Sequence, residues 1–163
     1  MRFYSMIDGE FDKSLITGDV INYRYKPKNN GILWCSPLDP KHNVPKWLTW
    51  DPYWTEYREI NCVEFDVDLS SKDILVIDNN EILYNLIDKE SETIDFRSLS
   101  KIYKGVYVDY EKIMWESSNF DILDTIGVYD CNTLMVFNSD IMNNIEYNNA
   151  NTVKNINKYW DYL

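Results

Sequence analysis

The chain has 163 residues, enough for a single domain spanning 1–163 whose core needs no disulfide or metal staple. Hydrophobic residues make up 45% of it, and Asp plus Glu outnumber Lys plus Arg by 27 to 16, a formal charge of −11. This composition excludes an intrinsically disordered chain. Phosphate backbones and anionic membranes repel such a surface, so no direct nucleic-acid or membrane binding is expected.

Arg2 to Ile7 reads as an opening strand closed by the turn signal Asp8-Gly9. Val20 to Tyr25 alternates as a half-buried strand would, Lys26 to Gly31 is a turn, and Ile32 to Ser36 is the next strand. Pro37, Pro40 and Pro45 then punctuate a loop, with Pro45 opening a short helix through Trp47, Trp50 and Tyr53. Cys62 to Leu69 is the clearest strand, acids on one face and apolar residues on the other. Ile74 to Ile77 is a short apolar strand, and Asn80 to Asp88 carries Ile82, Leu83, Leu86 and Ile87 at helical spacing. A second helix starts near Asp95 and ends by Gly105; Val106 to Val108 is a strand, and Tyr110 to Trp115 a third helix. Val128 to Phe137 reads as a strand interrupted near Asp130, and the tail 148–163 as an Asn-rich stretch followed by a docked helix. Strands interleaved with short helices give an α+β class.

Met1 to Met6 has no apolar segment of the signal-peptide kind, and no run approaches the roughly 18 apolar residues of a membrane span. Cys35, Cys62 and Cys131 are odd in number and widely spaced, and His42 is the only histidine. Neither a disulfide framework nor a metal site is expected, and reduced thiols fit a cytoplasmic setting. There is no G-x-S-x-G elbow and no glycine-rich phosphate loop.

Aromatics are the richer signal. Trp34, Trp47, Trp50, Tyr53, Trp54 and Tyr57 fall within 24 residues, among prolines and few aliphatics. They read either as a loop pinned over the core or as flat walls for a planar ligand, and the two readings are compatible. On the acidic strand, Glu64, Asp66 and Asp68 recur about 6.6 Å apart, near the phosphate spacing of a nucleic-acid strand. They read as a solvated strand face or as a nucleic-acid mimic.

Three blocks together resemble the ADP-ribosyltransferase-like fold, in a small phage and bacterial branch. Lys28 to Pro37 is similar to that branch's Gly-Leu-Trp-x-Ser strand, followed by a Trp-rich segment like Trp47 to Trp50. Ile94 to Val108 resembles its short helix ending in Tyr-Asp-Gly-Ile/Val before a strand, and Tyr129 to Asn138 its Trp-Asp-x-Glu-Ser/Thr strand. The resemblance implies two small, mostly antiparallel sheets forming a cleft, with NAD as substrate and no metal. It implies that Arg2 and Tyr4 on the opening strand hold the dinucleotide, that Ser36 orients it, and that Trp34 or Trp50 stacks on nicotinamide. The position matching the family's catalytic Glu is Asn132, which carries no charge; Asp130 is the nearby carboxylate that would stabilise a ribosyl cation.

The resulting expectation is an NAD-binding, catalytically degenerate ADP-ribosyltransferase-like protein acting on a macromolecular, protein target involved in host defence. The alternative is a non-catalytic acidic inhibitor that occupies the basic groove of a nucleic-acid-binding protein.

Overall fold

The computed structural model describes residues 1–7, 9–28, 31–39, 41, 44–46, 61–116 and 125–148. The opening segment and the clearest alternating one become the strands β1 (Arg2–Ile7) and β6 (Asn61–Asp66), which pair antiparallel from Arg2↔Asp66 to Ile7↔Asn61. Around them, in chain order, lie β2 (Asn22–Tyr23), β3 (Lys26–Pro27), β4 (Leu33–Asp39) and β5 (Val44–Pro45). Then follow β7 (Ile74–Ile77), α1 (Asn80–Leu86), β8 (Ile87–Asp88), β9 (Thr93–Ile94), α2 (Phe96–Ile102), β10 (Gly105–Val108) and α3 (Tyr110–Glu116). The last are β11 (Thr133–Val136) and β12 (Asn143–Asn148).

Among the described residues one sheet dominates, in the order β12-β6-β1-β4-β11-β10-β7, with β5 pairing β4; β2-β3 and β8-β9 are two-stranded ribbons. All pairings among the described residues are antiparallel except β7 with β10, whose connection runs through α1 and α2. The mixed α and β content matches expectation, but the two separate sheets do not appear. They are one sheet because β4 pairs with β1 through Ser36 and Pro37 and with β11 through Leu33, Trp34 and Cys35.

Residues directly opposite in a pair share a face. Phe3, Cys35, Val63, Phe65, Tyr107, Leu134 and Val136 therefore point one way and form one apolar cluster. Trp34, Leu75, Ile77, Val106, Val108 and Met135 point the other way and pack with Leu83, Phe96 and Ile113 from the three helices. The first face is concave. Phe3 meets the Tyr107 ring edge-on at 5.7 Å, although β4 and β11 lie between their strands. In a flat sheet, strands three places apart would stand about 14 Å from each other. The hollow where a cleft was expected is filled by this cluster, with Phe3, Val63, Phe65 and Leu134 fully buried.

Several boundaries differ from expectation for physical reasons. Val20–Tyr25 yields only β2, because Arg24 adopts φ 50° and turns the chain into β3, so Lys26 and Pro27 are strand rather than turn. Pro37 lies inside β4, and Pro45 pairs with Leu38 in β5, while Trp47, Trp50 and Tyr53 of the helix expected to follow it lie outside the described residues. Its fixed φ suits an extended edge as well as a first helical turn. The strand expected over Val128–Phe137 shortens to Thr133–Val136, since Tyr129 leaves the ladder and donates its hydroxyl to the Tyr25 carbonyl at 2.6 Å. The Trp47 to Tyr57 segment and residues 149–163 of the tail lie outside the described residues.

Candidate functional site

Three of the residues singled out from sequence share one sheet face on neighbouring strands. Tyr4 of β1 lies opposite Ser36 of β4 on one side and Glu64 of β6 on the other, and Glu64 in turn lies opposite Glu146 of β12. Arg2 lies one pleat along, opposite Asp66. Trp34 is two residues from Ser36, so its side chain leaves β4 on that same face.

Arg2 is fully engaged within the sheet. Its Nε donates to Glu64 Oε2 at 3.0 Å, Nη1 to Asp66 Oδ2 at 3.3 Å, and Nη2 to Glu146 Oε1 at 2.7 Å. These bonds, Glu64 first, hold the guanidinium above its already high ordinary value. One cation therefore faces three carboxylates. The Asp66 carboxyl is held below the usual range, first by the Asn144 amide (2.9 Å) and then by the charges of Arg2 and the chain's amino terminus. Tyr4 is half-buried, and its hydroxyl is raised first by that burial and then by the Glu64 charge. The expected three-acid ladder is shorter than the sequence pattern. The strand stops at Asp66, and Asp68 accepts from the backbone N–H and hydroxyl of Ser70 in the following turn.

Trp34 and Ser36 mark where this polar face passes into the helix-covered one. Ser36 is 1% exposed. Trp34 lies opposite Met135 and its ring packs against Tyr129 at 6.4 Å. Its Nε1 is enclosed and has no hydrogen-bond partner among the described residues. An enclosed indole N–H of this kind costs free energy on the order of 1–3 kcal/mol.

Asn132 and Asp130 precede β11 rather than belonging to it. Asn132 is 7% exposed, and its Oδ1 accepts from the Glu111 N–H at 2.9 Å, satisfying a backbone donor in the first turn of α3. Its amide also contacts the Tyr107 hydroxyl, which burial and then the Asp109 charge raise far above the ordinary tyrosine value. Glu111 is ion-paired with Lys46, beside β5. Asp130 is exposed, and its charge raises the Tyr110 hydroxyl after burial has done so. Asn132 is thus tied to the α3 end of the sheet, and Arg2 to the β6–β12 end.

Trp50 lies outside the described residues. Glu146, Tyr107, Glu111 and Lys46 were not singled out from sequence. Each takes its role from a partner at least 21 residues away, and no local pattern announces such a pair. Among the described residues no group of three or more His, Cys, Asp or Glu is arranged to hold a metal ion, and no helix is long and apolar enough to cross a membrane. Compared with known proteins, the chain matches no family model, no curated protein and no solved structure.

Proposed function

We propose that this chain is an ADP-ribosyltransferase-like domain that binds NAD or a related nucleotide and has lost most or all transferase turnover. The observation that carries the reading is the side-by-side order β1-β4-β11. The opening strand, the Trp34-Cys35-Ser36 strand and the Tyr129–Asn138 block are distant in sequence and adjacent in the sheet. Tyr4, Ser36 and Trp34 would contribute hydrogen-bonding groups and an aromatic wall at one boundary of the sheet face. Arg2 would orient the Glu64 and Tyr4 side chains rather than neutralise a phosphate, because its own charge is spent on three carboxylates.

The loss of turnover rests on Asn132. Cleaving the glycosidic bond of NAD builds positive charge on the ribose, and a missing, well-aimed carboxylate costs on the order of 3 kcal/mol. Asn132 offers a neutral amide whose oxygen already accepts from the α3 backbone. Titration of NAD into the full chain, followed by tryptophan fluorescence, tests the binding step. Saturable quenching that weakens in Ser36→Ala is expected, with no nicotinamide release. A folded sample showing no change at millimolar NAD would sink the proposal.

A second reading is favoured by one observation: Glu64, Asp66 and Glu146 share a single guanidinium on a chain of net charge −11. Under that reading the protein is a non-catalytic inhibitor whose acidic face occupies the basic groove of a nucleic-acid-binding protein. Its association would weaken steeply with salt. Equal recovery of such a partner at low and high salt would remove its electrostatic basis.

A further inference from the structure

We infer that β12 is a releasable edge strand, fastened by the Arg2 side chain and separable from the sheet without unfolding the rest of the domain. Three observations meet here. First, among the described residues β12 pairs only with β6, and that pairing slips between Asn143 and Glu146, where Asn144 takes φ 48°. Second, burial stops abruptly at this irregularity. Ile141 and Met142 are buried just before it, whereas none of Asn143, Asn144, Ile145, Glu146 and Tyr147 is, Ile145 alone being half-covered among its apolar members. Third, side-chain bonds fasten the strand across its neighbours. Arg2 reaches over β6 to Glu146, Asn144 Nδ2 donates to Asp66, and the Tyr147 hydroxyl donates to the Gly9 carbonyl at 3.1 Å.

A segment with little apolar cover and exposed polar bonds opens locally at a lower free energy than its sheet. Below it, Val63 and Phe65 of β6 are fully buried and belong to the concave cluster, so β6 stays in place when β12 leaves. Met142 is the fixed point and Asn143–Asn144 the hinge. Release uncovers the outer backbone edge of β6, a row of donors and acceptors able to receive another strand.

Hydrogen exchange of the full chain, read by mass spectrometry at fixed pH, tests this. Peptides covering 143–148 should exchange at least about tenfold faster than those covering 133–136. Glu146→Gln, which keeps the side-chain shape, should speed the 143–148 peptides a further two- to fivefold or so, as expected for one exposed ion pair, and leave β10 and β11 unchanged. Raising the salt concentration should mimic part of that change in the parent and little of it in the variant. Arg2→Ala should produce a larger effect at the same place, and Glu146→Gln decides the matter if that variant fails to fold. Equal protection of β12 and β11, or a uniform rise over the whole sheet in Glu146→Gln, would overturn the inference.

Discussion

Asn132→Ala separates a structural role from a catalytic remnant. The Asn132 side chain is 7% exposed and accepts from the Glu111 N–H at 2.9 Å, so truncation leaves that donor in the first turn of α3 without its partner. Losing a cap-like acceptor of this kind costs about 1–2 kcal/mol. For a chain of this size each kcal/mol moves Tm by roughly 2–4 °C, so a fall of about 2–8 °C is expected by calorimetry. Asn132→Asp keeps an acceptor in place. It adds charge near the favourable end of α3, but also near Asp109, Glu111 and Asp130, so its loss should be smaller than that of the alanine variant. NAD quenching should persist in Asn132→Ala at a temperature where it is folded. A Tm within about 1 °C of the parent, together with lost NAD response, would refute the capping argument and place Asn132 at the ligand instead.

Other perturbations bear on the fold. Phe3→Ala empties a fully buried site that touches Phe65 and Tyr107, and should cost about 3–5 kcal/mol in urea unfolding; a loss below about 1 kcal/mol would contradict the filled concave face. Gly31→Ala meets both a left-handed backbone (φ 65°) and a clash of the new Cβ with Thr17 Oγ1, a cost of about 1–3 kcal/mol visible as a lower urea midpoint. Burial pushes the Cys62 and Cys131 thiols up to about 12 and Cys35 well above its ordinary value, so Ellman's reagent at pH 8 should label the native protein far more slowly than the urea-unfolded one. Asp95 caps α2 and is held below the usual carboxylate range by the Ser98 hydroxyl first and Asn22 next. Its stabilisation is present above the unfolded value of about 3.9 and lost as pH falls through the lower folded value. Asp95→Asn should therefore flatten the acid side of the stability profile below about pH 4, and an unchanged profile would count against the assignment.

What the sequence disclosed was whatever is encoded locally. Apolar residues at helical spacing after Asp95 placed α2, strict alternation placed β6, and the Asp8-Gly9 turn signal placed the end of β1. Strand β12 escaped notice because its alternation is only Ile145 and Tyr147 set among asparagines; it is a strand by pairing with β6 and by Arg2, not by burial. Arg2 itself looked like a free anchor for phosphate. Its actual partners stand 62, 64 and 144 residues away, and nothing around Arg2 marks them. Asn132 was noticed for a family position, while its bond to α3 depends on how the chain before β11 leaves the ladder.

Strand β4 carries a further consequence. Both of its faces meet apolar neighbours, with Leu33 and Cys35 on the hollow side and Trp34 on the side roofed by helices. A slip of one residue would thus not be penalised by greasiness alone, as it would be in a strand with one wet face. Shape is the discriminator: an indole would have to enter the tight space vacated by a thiol, and a thiol would leave a void beside Tyr129. The alignment of the whole sheet, and with it the meeting of Tyr4 and Ser36, rests on that difference in bulk between two consecutive side chains.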